Sequence, residues 1–452
     1  MKKYFISEII DESGITKFSL GAFILIGFAL LFDGFDFTIV PFTMPQIGKE
    51  WALTKVQLGS LASWSLLGLG IGAVFAGMIS DRIGRKRTLG LACLTYSLFT
   101  LPIYFVPSYS LYSILRVCAG VGIGACIPVG ITMSSEFAPS KNRGYFSSGI
   151  ISFMMLGWAL AGLIAIYVVP TYGWRVCYLI GGLPALYGLF MLIQPVESPY
   201  WLIANGRERE AIKIVQQIEI SGKGKARELE PGSLLLPPPA PSVGAKAIFS
   251  SEYLKATISF WLIYFLGTLA VYGFTGWLPT LLVEKGYGVV KGYGFSVISY
   301  LFAIVGALGT GIMADLIGRK KNMAIGFLVG GVCIVLLGLS ATQWQVLVFA
   351  ILVNIMLNYA LCGLMPLMAE TYRTEFRNTG IAWATAFGRV GAFCGPISGG
   401  FVQKLGLGFT GVFVFYAAPA LMCTLATLIM VTETKGKGIE AKLMATAKAG
   451  KM

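Results

Sequence analysis

No histidine occurs anywhere in the 452-residue chain. The side chain that ordinarily changes charge between about pH 5 and 8 is therefore missing. Any proton handled near neutral pH must ride on an aspartate or a glutamate. Charge of either sign is scarce, 12% of residues, and acids are scarcer, 21 Asp and Glu against 35 Lys and Arg. With 56% hydrophobic residues, this composition excludes an ordinary soluble enzyme and indicates a chain that crosses a membrane many times. The eight cysteines, at 93, 118, 126, 177, 333, 362, 394 and 423, all fall inside apolar runs. None is placed for a disulfide framework or a metal site. Nucleophile–base pairs, metal clusters and phosphate cradles are absent too, so the chain is not expected to be an enzyme or to need a cofactor. The stretch 1–16 is charged and polar, unlike a cleavable signal peptide.

What the chain has in plenty is apolar runs. Twelve spans are read, at about 18–44, 56–79, 88–106, 110–135, 145–168, 175–194, 256–282, 293–314, 322–340, 344–369, 378–402 and 410–431. Each is long enough to cross a bilayer as a helix. The net charge of +14 does not mark a nucleic-acid binder, because the bases lie in the connections between spans. One side carries Arg82, Arg85, Lys86, Arg87, Lys141, Arg143, Arg319, Lys320, Lys321, Arg373 and Arg377. The other has only Lys49, Lys55, Arg175, Lys285, Lys291 and Lys404. The richer side is cytoplasmic by the positive-inside rule, and an even number of spans puts both termini there. The expected home is the plasma or inner membrane.

The expected organisation is a cytoplasmic N-terminus 1–17, a six-helix bundle 18–194, a cytoplasmic central loop 195–255, a second bundle 256–431 and a cytoplasmic tail 432–452. Within the loop, Ala211, Ile212, Ile214, Val215 and Ile218 predict a short amphipathic surface helix over 207–218. Prolines 237, 238, 239 and 241 predict an extended linker. The two bundles repeat one another. Gly77, Asp81, Arg82, Ile83, Gly84, Arg85 and Lys86 recur as Gly311, Asp315, Leu316, Ile317, Gly318, Arg319 and Lys320, an offset of 315 − 81 = 234. The same offset relates Glu136 to Glu370 and Arg143 to Arg377. Parallel repeats of six spans imply an axis along the membrane normal and a substrate path between the bundles. The fold class is thus an all-α membrane protein of twelve transmembrane helices in two pseudo-symmetric six-helix bundles.

Two acids stand out within the first span. Asp33 and Asp36 are three residues apart on one helical face. Each costs about 2.5–3.5 kcal/mol to insert, so the pair is read as facing a polar cavity and carrying protons. Arg116 lies at a compatible depth in the fourth span, and an ion pair with Asp36 is expected. Gly120, Gly122 and Gly124 are read as close helix packing rather than a dinucleotide loop. Arg389 sits near the middle of the eleventh span, and its forked donors suit a carboxylate. It is read as the substrate's anchor; structural pairing with an aspartate of the first bundle is the alternative. Aromatic and amide positions with cavity prospects are Phe35, Trp158, Tyr264, Tyr272, Trp383 and Phe387, with Asn354 and Asn358. From these, Tyr272, Trp383, Asn358 and Phe35 are taken as substrate contacts beside Arg389.

The duplicated Gly-x-x-x-Asp-Arg-x-Gly-Arg-Lys loop resembles the signature of the major facilitator superfamily, and the resemblance covers the whole membrane portion. It implies cytoplasmic ion-pair clamps: Asp81, Arg85, Lys86, Glu136 and Arg143 in one half, Asp315, Arg319, Lys320, Glu370 and Arg377 in the other. Arg116 with its glycines is similar to that superfamily's fourth-helix pattern, which is linked with proton transfer. Within the superfamily, Asp33-Gly34-Phe35-Asp36 resembles the first-helix signature of aromatic acid:proton symporters. Tyr272-Gly273-Phe274-Thr275-Gly276-Trp277-Leu278-Pro279-Thr280 is similar to their seventh helix. Gly388-Arg389-Val390-Gly391 with Gly395-Pro396 is similar to their eleventh. Glu197-Ser198-Pro199-Tyr200-Trp201-Leu202 and Glu433-Thr434-Lys435-Gly436 are shared with sugar porters and organic-ion transporters. The resemblance implies a monomeric symporter that takes up a small organic, aromatic carboxylate with protons by alternating access, with no nucleic-acid partner. A sugar or polyol porter, another organic-ion porter and a non-transporting membrane receptor are the alternatives. The seventh span lacks the Gln-Gln pair of sugar porters, and the fifth, Gly157 to Leu163, lacks the proline of drug antiporters.

Overall fold

The structure is a computed structural model that describes residues 3–236, 245–373 and 375–435. The linker expected at 237–241 and most of the tail at 432–452 lie outside the described residues. A short strand β1 (Tyr4–Phe5) and helix α1 (Ile6–Ser13) precede the first long helix, α2 (Lys17–Glu50). There follow α3 (Lys55–Ile83), α4 (Arg85–Thr100), α5 (Tyr109–Glu136), α6 (Arg143–Tyr172), α7 (Trp174–Ile180) and α8 (Pro184–Ile193). The central loop holds α9 (Pro199–Ala204), α10 (Glu208–Lys223) and β2 (Leu234–Leu235). The last six helices are α11 (Leu254–Glu284), α12 (Val289–Ile317), α13 (Arg319–Gly338), α14 (Gln343–Thr371), α15 (Arg377–Lys404) and α16 (Gly408–Met430).

Eleven helical segments among the described residues are long and apolar enough to cross a bilayer. The remaining expected span, α15, has the length, 28 residues, but glycines and Arg389 lower its apolar character. The sixth span is bent where the sequence suggested one run. Gly181 and Gly182 separate α7 from α8, and Pro184 offers no N–H to the turn before it. By contrast α2 runs unbroken through Pro41 and Pro45. Thr43 Oγ1 donates to the carbonyls of Ile39 and Val40 in that turn, at 3.1 and 3.0 Å.

The repeat is kept to the residue: α3 and α12 end at Ile83 and Ile317, and α4 and α13 begin at Arg85 and Arg319. The glycine between them is required in both copies. Gly84 and Gly318 have φ of +105° and +98°, where side chains are strained. A Cβ there would also stand 2.4 and 2.5 Å from the carboxylates of Glu197 and Glu433.

The chain divides into two compact units, Met1–Gln46 with Trp64–Pro239, and Ile47–Ser63 with Ala240–Met452. In the first, α3 and α5 touch backbone to backbone. A Cβ on Gly68, Gly72, Gly120 or Gly124 would meet a carbonyl oxygen of the facing helix at 2.0–2.2 Å. The α2–α6 contact at Gly34 and Gly157 is just as close, 2.1 Å. The second unit takes in the segment 47–63, where Lys55 Nζ pairs with Glu284 Oε1 at 2.7 Å and Ser63 Oγ donates to Phe393 O at 2.7 Å. There α15 lies against α11, and a Cβ on Gly391 would meet Phe265 O at 2.1 Å. Small residues thus let polar side chains on neighbouring helices meet inside an apolar medium.

Candidate functional site

The α3–α5 contact seats Arg116 of α5 beside Ser65 of α3, and its guanidinium reaches α2. Nη1 donates to Asp36 Oδ2 at 2.9 Å, Nη2 to the Asp36 main-chain oxygen at 3.0 Å, and Nε to Ser65 Oγ at 2.8 Å. Thr100 Oγ1, at the end of α4, donates to the other carboxylate oxygen at 2.7 Å. Asp36 and Arg116 are both 0% exposed. The guanidinium carbon lies 6.0 Å from the ring centroid of Tyr178. The Tyr178 hydroxyl bonds to Tyr112 at 2.8 Å and Thr43 at 2.9 Å. Ser65, Thr100, Tyr112 and Tyr178 carried no signal in the sequence, because each joins the pair only through tertiary packing.

Asp33 lies on the same face of α2 and is buried, but takes no part in that ion pair. Its charge acts on Tyr96 of α4 and Cys126 of α5, both fully buried.

Arg389 of α15 is half-buried. Among the described residues it makes no ion pair, and its Nε atom is buried with no hydrogen-bond partner. Tyr264 of α11 is within electrostatic reach of it and of Tyr272. One turn before it on α11, Trp261 stacks against Phe387, at 4.2 Å, and Trp383, at 5.8 Å. Trp261 escaped the sequence reading; its signal is the i, i+3 spacing with Tyr264 on one face of α11. Asn358 is buried and donates to Asn354 O at 2.9 Å, while Asn354 bonds Ser299. Phe35 is buried in the first unit, and Trp158 packs at 6.5 Å from Phe37.

Where α3 meets α4, Arg85 pairs with Asp81 at 2.5 Å and approaches Glu136 at 3.8 Å. Arg319 pairs with Asp315 at 2.5 Å and Glu370 at 3.0 Å. Arg143 sends its Nη2 to the Tyr200 hydroxyl at 3.4 Å. Lys86 Nζ donates to Leu192 O at 3.2 Å. Two acids outside the expected clamps complete the pattern. Glu197 Oε1 accepts from the amides of Arg85 and Lys86 at 3.0 and 3.1 Å, an anionic cap on α4. Glu433 does the same for α13, accepting from Arg319 N at 2.9 Å and Lys320 N at 3.3 Å. Their offset is 433 − 197 = 236, two residues off the register of the repeat, which hides them from a fixed-offset comparison.

A sequence model described as the Major Facilitator Superfamily matches residues 26–312 and 295–449. The niacin transporter of Acinetobacter baylyi is 32% identical over 437 residues, covering 96% of this chain and 98% of that protein. The gallate transporter of Pseudomonas putida is 32% identical over 429 residues, covering 94% of each. A 4-hydroxybenzoate transporter of Pseudomonas putida is 29% identical over 430 residues, 94% of this chain and 95% of that protein. Among solved structures, the xylose transporter XylE from E. coli, partially occluded and inward open, aligns with a TM-score of 0.75 over 94% of this chain and 100% of that one. At 17% identity this last likeness concerns the fold alone. The apolar helices, the internal repeat and full-length relatives agree: the chain belongs to the major facilitator superfamily and is an integral-membrane transporter, not an enzyme.

Proposed function

We propose that this transporter takes up a small aromatic carboxylate together with protons, by alternating access, as a monomer with both termini in the cytoplasm. The observation that carries the substrate reading is Arg389: a guanidinium inside a span, without an ion pair among the described residues and beside a stack of aromatic rings. Its fork matches a carboxylate, and the rings match a flat apolar body. Niacin, gallate and 4-hydroxybenzoate, named for the relatives, have that chemistry. Tyr272 and Trp383 are proposed to contact the ring, with buried Asn358 and Phe35 reached when the site opens. Asp33, Asp36 and Arg116 carry the proton coupling. Asp81, Arg85, Lys86, Glu136 and Arg143, with Asp315, Arg319, Lys320, Glu370 and Arg377, form the cytoplasmic gate.

The test is uptake of a radiolabelled aromatic carboxylate by proteoliposomes. Accumulation driven by an inward pH gradient is expected for benzoate-like acids. Xylose accumulation without aromatic-acid uptake would favour a sugar porter, and binding without flux a receptor.

A further inference from the structure

The first residues of the chain are folded. Ile6, Ile9 and Ile10 are spaced to share one helical face, and all three are buried in α1. They join a cluster with Ala211, Val215 and Ile218 of α10. β1 pairs in parallel with β2, Tyr4 opposite Leu234 and Phe5 opposite Leu235. Glu12 closes the assembly, reaching Lys223 and Arg227 at 2.7 Å each. Those two partners hold its carboxyl down at about 2, so the contact stays charged at any working pH.

Asp11 is left pointing the other way. Its Oδ1 accepts from the Ser140 amide at 2.5 Å and its Oδ2 from Ser140 Oγ at 2.8 Å. Ser140–Asn142 is the 3₁₀ turn that leads directly into Arg143 at the start of α6. Arg143 in turn bonds Tyr200 of α9. Tyr200 feels the charges of Arg143, Glu136 and Asp11 together. The loop that carries Glu136 and Arg143 is thus held at Ser140 by α1 and at Arg143 by α9.

We infer that Asp11 is a positioning residue of the cytoplasmic gate: α1, fastened to α10, fixes the turn Ser140–Asn142 and through it the place of Arg143. This rests on the gate reading above. The Asp11–Ser140 bonds are exposed to solvent, so they contribute little to folding. What they supply is register, because two acceptors on one carboxylate define both the position and the tilt of the turn. The hydrophobic face of α1 anchors the carboxylate independently of the loop it holds.

The experiment compares Asp11→Ala, Asp11→Asn and Ser140→Ala in the full chain, by uptake kinetics in proteoliposomes and by amide hydrogen exchange. For Asp11→Ala the maximal uptake rate per folded molecule should fall about fivefold, the weight of one net hydrogen bond, with the half-saturation concentration unchanged. Exchange at residues 140–143 should accelerate while α10 keeps its protection. Asp11→Asn keeps acceptor and shape, and should restore most of the rate. Ser140→Ala removes one of the two bonds without touching α1, and should reproduce the loss in part. Unchanged exchange at 140–143 in Asp11→Ala overturns the proposal. So does accelerated exchange with an unchanged maximal rate, or a loss of affinity in place of rate. Lack of aromatic-acid uptake by the unsubstituted protein would count against the substrate reading alone, since the exchange measurement needs no substrate.

Discussion

Arg116 holds Asp36 by two different atoms, the carboxylate Oδ2 at 2.9 Å and the main-chain oxygen at 3.0 Å, while its Nε is spent on Ser65. A main-chain carbonyl has two lone pairs, so the Asp36 oxygen can accept from the guanidinium in addition to a bond within its own helix. Three bonds from one rigid fork fix the cation on α2 and α3 at once. Arg116→Ala leaves a buried carboxylate without its cation, a loss of about 3–5 kcal/mol. Arg116→Lys keeps the charge but cannot span the three acceptors, and should fall between the two. The check is thermal unfolding of the purified protein in detergent. Adding Asp36→Asn to Arg116→Ala should recover much of the loss. If the double variant were the sum of the singles, the pair would not be coupled.

Arg389 differs in kind. Nothing among the described residues neutralises it, so removing it should cost little stability and much binding. Arg389→Ala is expected to lose about 2–5 kcal/mol of carboxylate affinity, measured by titration calorimetry with an aromatic acid. Arg389→Lys should recover only part, for want of the fork. Normal binding by the alanine variant would move the anchor elsewhere, with Arg116 the next candidate.

Much of this was legible from the residues because membrane helices are written in long apolar runs. The loops matched for a similar reason: Asp81 and Asp315 each sit in the last turn of a helix that ends before a positive-φ glycine, so the repeat in sequence is a repeat in backbone. What the sequence hides is tertiary. Nothing local marks Thr100 as a donor to Asp36, or Tyr178 as a neighbour of Arg116. Nor does anything local mark Tyr200, 57 residues away, as a hydrogen-bond partner of Arg143. Helix α1 has only eight residues, too few for periodicity to stand out, and its helical state depends on α10.

The cap on α13 gives a pH prediction. Burial opposes the charge on Glu433, but the amides of Lys435, Arg319, Thr434 and Lys320 outweigh it and hold the carboxyl below the usual carboxylate range. A carboxyl lowered on folding contributes stability that is present above its unfolded value and is lost as the pH falls through its folded value. With an unfolded reference of 4.5, the cap should be indifferent to acidification from neutral pH down to that value and weaken only below it. Hydrogen exchange at the amides of Arg319 and Lys320, corrected for the intrinsic pH dependence, reads this directly. Protection should stay level down to about pH 5, and Glu433→Ala should lose it throughout. A fall already between neutral and mildly acidic pH would assign the cap to a different titrating group.

The coupling prediction turns on how differently the two aspartates of α2 are housed. Asp36 accepts from Arg116 and Thr100, whereas Asp33 takes no part in that ion pair and lies within electrostatic reach of Tyr96 and Cys126. While Arg116 stays in place, Asp36 is compensated. When helix movement or substrate draws the guanidinium away, Asp36 must take a proton or remain a lone buried charge at a cost of several kcal/mol. In the coupling proposed above, protonation would permit the reorientation that carries substrate inward, with the proton released on the cytoplasmic side. If the aspartates merely held Arg116, replacing either would give a folding defect. If they couple, it gives a transport defect with the fold intact. Asp36→Asn and, separately, Asp33→Asn are therefore to be measured in proteoliposomes after a thermal-unfolding check. Accumulation driven by a pH gradient should be lost in at least one, while exchange of labelled substrate at equal pH survives. Gradient-driven accumulation retained by both variants would defeat the mechanism.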